Sequence, residues 1–254
     1  MDKQAKQRRV ALVTGANKGI GRAAATGLAA AGFRVVVGAR DPRRGGEAAA
    51  AIRAVGGDAH AVELDVTDQA TVRAAASWID EHLGRLDVLV NNAGITGSGQ
   101  AAPPDALDRV PSAVDVDLVR EVFDTNVFAV LRVTNAVLPL LRRSPAARIV
   151  NVSSHSASLA LTAEVDGPMS SLLSAAYSPS KTALNALTLQ YANELRAENI
   201  LVNAAAPGYV DTDINGHSGV LTPEQGAAVV VRLATLGADG PTGGFFSAEG
   251  PLPW

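Results

Sequence analysis

Thr14-Gly15-Ala16-Asn17-Lys18-Gly19-Ile20-Gly21 stands between a short apolar run, Val10 to Thr14, and a stretch of helical spacing, Ile20 to Ala31, with Gly32 past its end. Glycines at 15, 19 and 21 let the backbone turn tightly, come close to an anion and pack the helix against the strand. The first N–H groups of a helix have no partner within it and so face that anion. A strand, a G-x-x-x-G-x-G turn and a helix in this order predict an α/β unit that holds a pyrophosphate, although G-x-G-x-x-G is the commoner spacing.

Outward from this turn, strands and helices alternate. Phe33 to Gly38 reads as a second buried strand, and Asp41-Pro42 as the N-cap and first residue of a helix closed by Gly56-Gly57. Ala59 to Leu64 is a third strand, Thr67 caps a helix running to about Leu83, and Leu86 to Val90 is a fourth strand entering Asn91-Asn92-Ala93-Gly94. A loop rich in Gly, Pro, Ser and Asp covers 96–112, and one long helix is expected from Asp115 to Leu141, bent at Pro139. Arg148 to Val152, Ile200 to Ala205 and Gly244 to Ser247 are the remaining strands. Thr222-Pro223-Glu224-Gln225 has the pattern of a capping box with Pro at the first helical position. With no repeat or break in composition, residues 9–254 predict one α/β domain, a Rossmann-type doubly wound parallel sheet of about seven strands flanked by helices.

The composition agrees. Hydrophobic residues make up 47% of the chain and aromatics only 4%, so the core must be assembled from Ala, Val, Leu and Ile, as helices on a parallel sheet are. A net charge of −3 leaves no electrostatic footprint for nucleic acid. No apolar run approaches the ~20 residues of a membrane span. Lack of cysteine excludes disulfides, thiolate catalysis and Cys-ligated metal, and suits a cytoplasmic protein. Residues 1–8, with Lys3, Lys6 and Arg8, are expected to form a flexible basic tail, because the apolar strand behind them is too short for a signal peptide. His60, His82, His155 and His217 are scattered without metal-ligand spacing, so no metal is expected. His155 and His217 either line a substrate pocket or lie exposed in loops.

A second stretch carries its own chemistry. In Tyr-Ser-Pro-Ser-Lys, 177–181, Tyr177 and Lys181 share one helix face. An ammonium near a phenol favours the phenolate, which lets Tyr177 exchange a proton near neutral pH. Pro179 removes a helix N–H and is tolerable only in a first turn, so the helix is expected to begin at about Ser178. At the end of the second strand, where an NAD site places a carboxylate for the ribose 2′-OH, this chain has Ala39 and Arg40. Arg40 and Lys18 offer two cations to a 2′-phosphate, which favours NADP(H). Asp41 is the carboxylate nearby, and its place before Pro42 reads as an N-cap.

Thr14 to Gly21, Leu64-Asp65-Val66-Thr67-Asp68, Asn91 to Gly94, Asn126, Asn151-Val152-Ser153-Ser154, Tyr177 to Lys181 and Pro207-Gly208-Tyr209-Val210-Asp211-Thr212 occur in that order. Together they resemble the short-chain dehydrogenase/reductase family, in particular its carbonyl-reductase-like members, over nearly the whole chain. The resemblance implies that Gly15, Asn17, Lys18, Gly19, Ile20, Gly21 and Arg40 bind the cofactor, that Asp65 and Val66 contact the adenine, and that Asn91, Ala93 and Gly94 line the adenosine side. Pro207, Gly208, Val210 and Thr212 resemble the nicotinamide and pyrophosphate contacts. The implied catalytic set is Asn126, Ser154, Tyr177 and Lys181. Tyr177 would donate the proton, and Lys181 would lower its pKa and hold the nicotinamide ribose. Ser154 would orient the carbonyl oxygen, and Asn126 would position a water leading to Lys181. Ser153 competes with Ser154, and the family pattern takes the second of the pair.

The expected activity is NADPH-dependent reduction of a ketone or aldehyde with an apolar body, held beneath 95–112, 155–176 and 213–221. An NAD-linked alcohol dehydrogenase of the same fold and a non-catalytic dinucleotide sensor are the alternatives. No nucleic acid or membrane partner is expected. Ser154 and Tyr177 are 23 residues apart, longer than the shortest spacing in that family, so 157–175 is expected to form a lobe at the pocket mouth. Among carbonyl-reductase-like members such an insertion goes with monomers, which leaves monomer, dimer and tetramer open.

Overall fold

Seven strands, all but one edge strand with predominantly apolar side chains, form one sheet in the computed structural model, which describes residues 8–97 and 110–254. They are β1 (Val10–Thr14), β2 (Arg34–Ala39), β3 (Asp58–Glu63), β4 (Val88–Asn91), β5 (Arg148–Val152), β6 (Leu201–Ala205) and β7 (Phe245–Phe246). Their order is β3-β2-β1-β4-β5-β6-β7, and every neighbouring pair is parallel. The helices are α1 (Gly19–Ala30), α2 (Pro42–Ala54), α3 (Gln69–Leu83), α4 (Val116–Phe123), α5 (Ala129–Leu141), α6 (Leu159–Ala163), α7 (Tyr177–Glu194) and α8 (Pro223–Ala234).

Alternate side chains of one strand feed two cores, as the period of two requires. Leu12, Val36, Leu89, Ile149 and Val202 pack with α3, α5 and α7 on one face. Ala11, Val13, Val35, Val37, Val90 and Val150 pack with α1, α2 and α8 on the other. Both faces are covered, which is why the inner strands read as apolar runs, while β3 at the edge carries Asp58, His60 and Glu63. The chain reverses its direction of travel across the sheet between β1 and β4, and the C-terminal ends of the two strands open a crevice there, where ligands bind in sheets of this kind.

Caps follow the chemistry of their residues. Asp41 caps α2, accepting from the amides of Arg43 and Arg44, with Pro42 behind it. Thr222 and Gln225 form the reciprocal capping box of α8. Asp68, not Thr67, caps α3, while Thr67 donates its hydroxyl to Asp65.

The expected single helix from 115 to 141 is interrupted. α4 and α5 flank a π-helical turn, Asp124–Phe128, in which Asn126 points inward and bonds the backbone of Ile95 through both its oxygen and its nitrogen. Apolar spacing is nearly unchanged by one such turn, so the sequence does not announce it. Pro139 lies inside α5, near its end. α7 begins at Tyr177, one residue before the expected start, and gives way at Glu194 to a 3₁₀ turn, Arg196–Glu198. Arg8 lies 3.0 Å from the Asp58 carboxylate in an exposed ion pair. The rest of the expected basic tail and most of the 96–112 loop lie outside the described residues.

Candidate active site

The glycine turn is locked to the turn after β4. Asn92 donates its side-chain amide to the carbonyls of Thr14 (2.9 Å) and Gly15 (3.3 Å), and the amides of Asn92 and Ala93 both donate to the Thr14 hydroxyl at 3.0 Å. Gly15 has φ +62°, a left-handed conformation that favours glycine. A Cβ on Gly21 would stand 2.4 Å from the Asn92 amide nitrogen, so the helix can start this close to the turn only without a side chain. The result is a cradle of backbone at the crevice, beside a helix N-terminus of the kind that holds phosphate groups.

Beside it opens a cavity of about 360 Å³ lined by Asn17, Lys18, Arg22, Arg43, Arg44 and Glu47. Four cations line it, and Arg43 is paired with Glu47 at 2.6 Å. Arg22, Arg43 and Arg44 were not anticipated from the sequence, although Asp41-Pro42 already put Arg43 and Arg44 in the first turn of α2. Asp41 is engaged as a cap, with Arg44 Nε 3.4 Å from its carboxylate, so it is not poised for a ribose hydroxyl. Lys18, expected among the phosphate ligands, lines this cavity but pairs with Asp213. Arg40 is exposed, and its charge acts on Asp65. Asp65 accepts from the amide (2.9 Å) and hydroxyl (2.7 Å) of Thr67, which hold its carboxyl below the usual range against the cost of its partial burial. Val66 is buried, and its carbonyl accepts from Arg132 at 2.9 Å.

Around the other expected cofactor residues the geometry divides. Gly94 is a close approach: a Cβ there would lie 3.1 Å from Asn126 Oδ1 and 3.3 Å from Lys181 Nζ. Asn91 is 4% exposed, and its side-chain amide donates to Thr134 (3.1 Å) and to Asn151 (2.9 Å), which in turn donates to Thr188 at 2.9 Å. Asn91 and Asn151 face each other across β4 and β5, and their side chains bind the sheet to α5 and α7. Pro207 and Val210 are buried, and Gly208 is exposed. Thr212 anchors a 3₁₀ turn, Asp213–Asn215, with a capping box.

The structure brings Ser154, Tyr177 and Lys181 together at the ends of β5 and α7. Burial pushes the Tyr177 pKa up, and the neighbouring Ser154 hydroxyl only partly offsets this, so the phenol keeps its proton at neutral pH. Lys181, 4% exposed, has its ammonium 5.8 Å from the Tyr177 ring centre and donates to the Val152 carbonyl at 2.8 Å. Burial pulls its pKa down to about 8. Ser153 is buried and donates to Asn185 at 2.6 Å, which leaves Ser154 as the serine facing Tyr177.

Two serines missed in the sequence set the start of α7. Ser174 Oγ accepts from the amides of Tyr177 (3.0 Å) and Ser178 (3.4 Å), and Pro179 has no amide to satisfy. Ser180 donates to the Tyr177 carbonyl at 2.6 Å and accepts from Asn126 at 3.0 Å, which ties the tyrosine's backbone to the π turn. The one available signal was a polar residue three positions from Tyr177 in an otherwise amphipathic stretch. His155, next to Ser154, is half-buried with its pKa lowered by burial. His217 is exposed and spans Asp211 (2.6 Å) and Asp213 (2.9 Å).

The chain is similar to known proteins. A family model described as short chain dehydrogenase matches residues 9–219. "Short-chain dehydrogenase/reductase 1" of Saponaria officinalis is 37% identical over a 294-residue alignment covering 98% of this chain and 97% of that protein. Salutaridine reductase of Papaver somniferum is 35% identical over 298 aligned residues, covering 96% of this chain and 95% of its own. Its solved structure superposes with a TM-score of 0.80 at 32% identity, over 95% of this chain and 100% of that one. The Pseudomonas aeruginosa RhlG/NADP active-site complex superposes with a TM-score of 0.79 at 32% identity, over 94% of each chain. Fold, turn, tyrosine–lysine pair and relatives agree, and the chain belongs to the short-chain dehydrogenase family.

Proposed function

We propose that this protein reduces a ketone or aldehyde to an alcohol with NADPH, reversibly, and that Asn126, Ser154, Tyr177 and Lys181 carry the reaction. The observation that carries the reading is the convergence of Ser154 and the buried Lys181 on the Tyr177 phenol, with the Lys181 ammonium 5.8 Å from its ring centre. Tyr177 holds the proton that the substrate oxygen takes up. Ser154 donates a hydrogen bond to that oxygen and so stabilises the charge that grows there. Lys181 keeps a positive charge close to the site. Asn126 holds the backbone of Ile95, and with it the turn at Gly94. The cofactor supplies the hydride when bound. The glycine cradle fits its pyrophosphate, and Lys18, Arg22, Arg40, Arg43 and Arg44 favour a 2′-phosphate.

The names of relatives point the same way: salutaridine reductase, (−)-isopiperitenone reductase of Mentha piperita and a short-chain oxidoreductase solved in complex with NADP. The substrate is a small carbonyl compound. No helix among the described residues is long and apolar enough to cross a membrane. Lack of cysteine supports a cytoplasmic setting.

A panel of ketones and aldehydes offered with NADPH, and separately with NADH, tests the proposal through consumption of the reduced cofactor. Turnover with NADPH preferred by about tenfold or more in kcat/KM is expected, since one charge-assisted contact is worth ~1.5–3 kcal/mol. Preference for NADH would overturn the cofactor assignment. Cofactor binding without turnover of any carbonyl would overturn the reaction.

A further inference from the structure

Ser154 is followed at once by a 3₁₀ turn, His155–Ala157, and then by α6. The Ser154 hydroxyl accepts from the Ser156 amide at 3.3 Å and lies 3.1 Å from the Ser156 hydroxyl, so its orientation depends on where this turn sits. What backs the turn is a hairpin far away in sequence. After β7 the chain reverses, with the Ser247 amide on the Gly250 carbonyl at 2.8 Å, and runs back along β7 through a Phe246–Pro251 bridge and a 2.8 Å bond from Leu252 to Phe245. Arg232 of α8 anchors it, donating to the Ser247 carbonyl at 2.5 Å.

This hairpin delivers Trp254 to the segment behind Ser154. The Trp254 carbonyl accepts from the Ala160 amide at 3.1 Å, one of the first-turn amides of α6 that have no partner within a helix. The indole stacks on Phe245, ring centres 5.5 Å apart, and with Leu252 it packs against the buried cluster of Ala157, Ala204, Ala206 and Phe245. Glu249 lies near enough to His155 for each to act on the other's charge. The hairpin therefore meets the segment after Ser154 by a hydrogen bond at Ala160, shares an apolar cluster with Ala157, and sets Glu249 near His155.

We propose that Trp254 is a positioning residue: it fixes the turn at 154–160, and through it the hydroxyl that orients the substrate oxygen, without acting on the cofactor. This inference rests on the role given to Ser154 above.

The test compares Trp254→Ala, Trp254→Phe and the wild type. In Trp254→Ala the KM for a ketone should rise about tenfold, the scale of a misplaced substrate-orienting group, while the dissociation constant for NADPH stays within about twofold. Trp254→Phe keeps a ring to stack on Phe245 and should recover most of the loss. Amide hydrogen exchange at 155–163 should quicken in Trp254→Ala, and exchange in β1 and α1 should not. Trp78→Ala removes the other tryptophan, on α3, and controls for general destabilisation: it should leave the ketone KM unchanged. Should Trp254→Ala fail to fold, Trp254→Leu keeps apolar bulk without stacking and is read the same way. A wild-type ketone KM, or unchanged exchange at 155–163, overturns the inference. A wild type that reduces no carbonyl sinks the reductase reading instead, and the exchange data still decide whether Trp254 holds this turn.

Discussion

Lys181 is the residue where function works against stability. Its pKa of about 8 lies well below the ordinary lysine value of 10.5, because burial disfavours the ammonium. A base whose pKa falls on folding costs stability wherever both states are protonated, below about pH 8, and the cost lifts as pH climbs toward the unfolded value. The cost is on the order of 3 kcal/mol. Lys181→Met should therefore abolish reduction yet raise Tm at pH 7 by roughly 5 °C, after about 1 kcal/mol is returned for the unpaired Val152 carbonyl. The gain should shrink by about pH 10. A Tm that falls at pH 7 would show that the buried charge is already compensated. Arg44 offers a second test at this scale. Arg44→Ala should lower kcat/KM for NADPH about 10- to 100-fold and leave NADH nearly unchanged; equal losses with both would remove Arg44 from the phosphate pocket. Tyr177, Lys181 and Ser154 were legible because their chemistry is written in short motifs. Ser174, Ser180, Asn151 and Arg44 were not, because each acquires its meaning from a partner that only the fold supplies.

Among the elements, the start of α7 was legible and the π turn was not. Pro179 has one tolerable place in a helix, and that reasoning located the boundary to within a residue. The turn at 124–128 leaves no such mark, since it is stabilised by Asn126 reaching the backbone of Ile95, 31 residues away in sequence. The segment after β6 is a third case. Lys18 of the glycine turn pairs with Asp213, and His217 bridges Asp211 and Asp213, so a chain of charges ties this segment across the cofactor crevice. The hydrogen bond to Asp211, and after it the one to Asp213, raises the His217 pKa. A raised histidine pKa stabilises fully below the ordinary value of 6.5 and loses that contribution as pH rises through the raised one. His217→Gln should accordingly lower Tm slightly at about pH 6 and not at about pH 9, and added salt should erase the difference because the pairs are exposed. An equal gap at both pH values would mean that the imidazole acts by packing.

At the scale of the molecule, a doubly wound sheet was legible from apolar runs alternating with capped helices, and strand positions came within a residue or two. The sheet order follows from pairings between distant segments and was not readable from local pattern. Its consequence is that four loops, after β1, β4, β5 and β6, meet at one edge and bring Gly15, Gly94, Ser154 and Pro207 to one crevice. A dinucleotide bound there touches several elements at once and should stabilise the whole fold. At about 100 times its dissociation constant, NADPH should add ~2.7 kcal/mol, and at equal concentration NADH should raise Tm less. Equal shifts would argue against a built 2′-phosphate pocket.

The account turns on Tyr177 as the proton donor, and the direct measurement is single-turnover reduction of a ketone by Tyr177→Phe with NADPH binding measured alongside. The account predicts that NADPH binds as it does to the wild type while the reduction rate drops ~10²–10⁴-fold, the usual worth of a positioned acid. A variant that binds NADPH and reduces the ketone at close to the wild-type rate would contradict it.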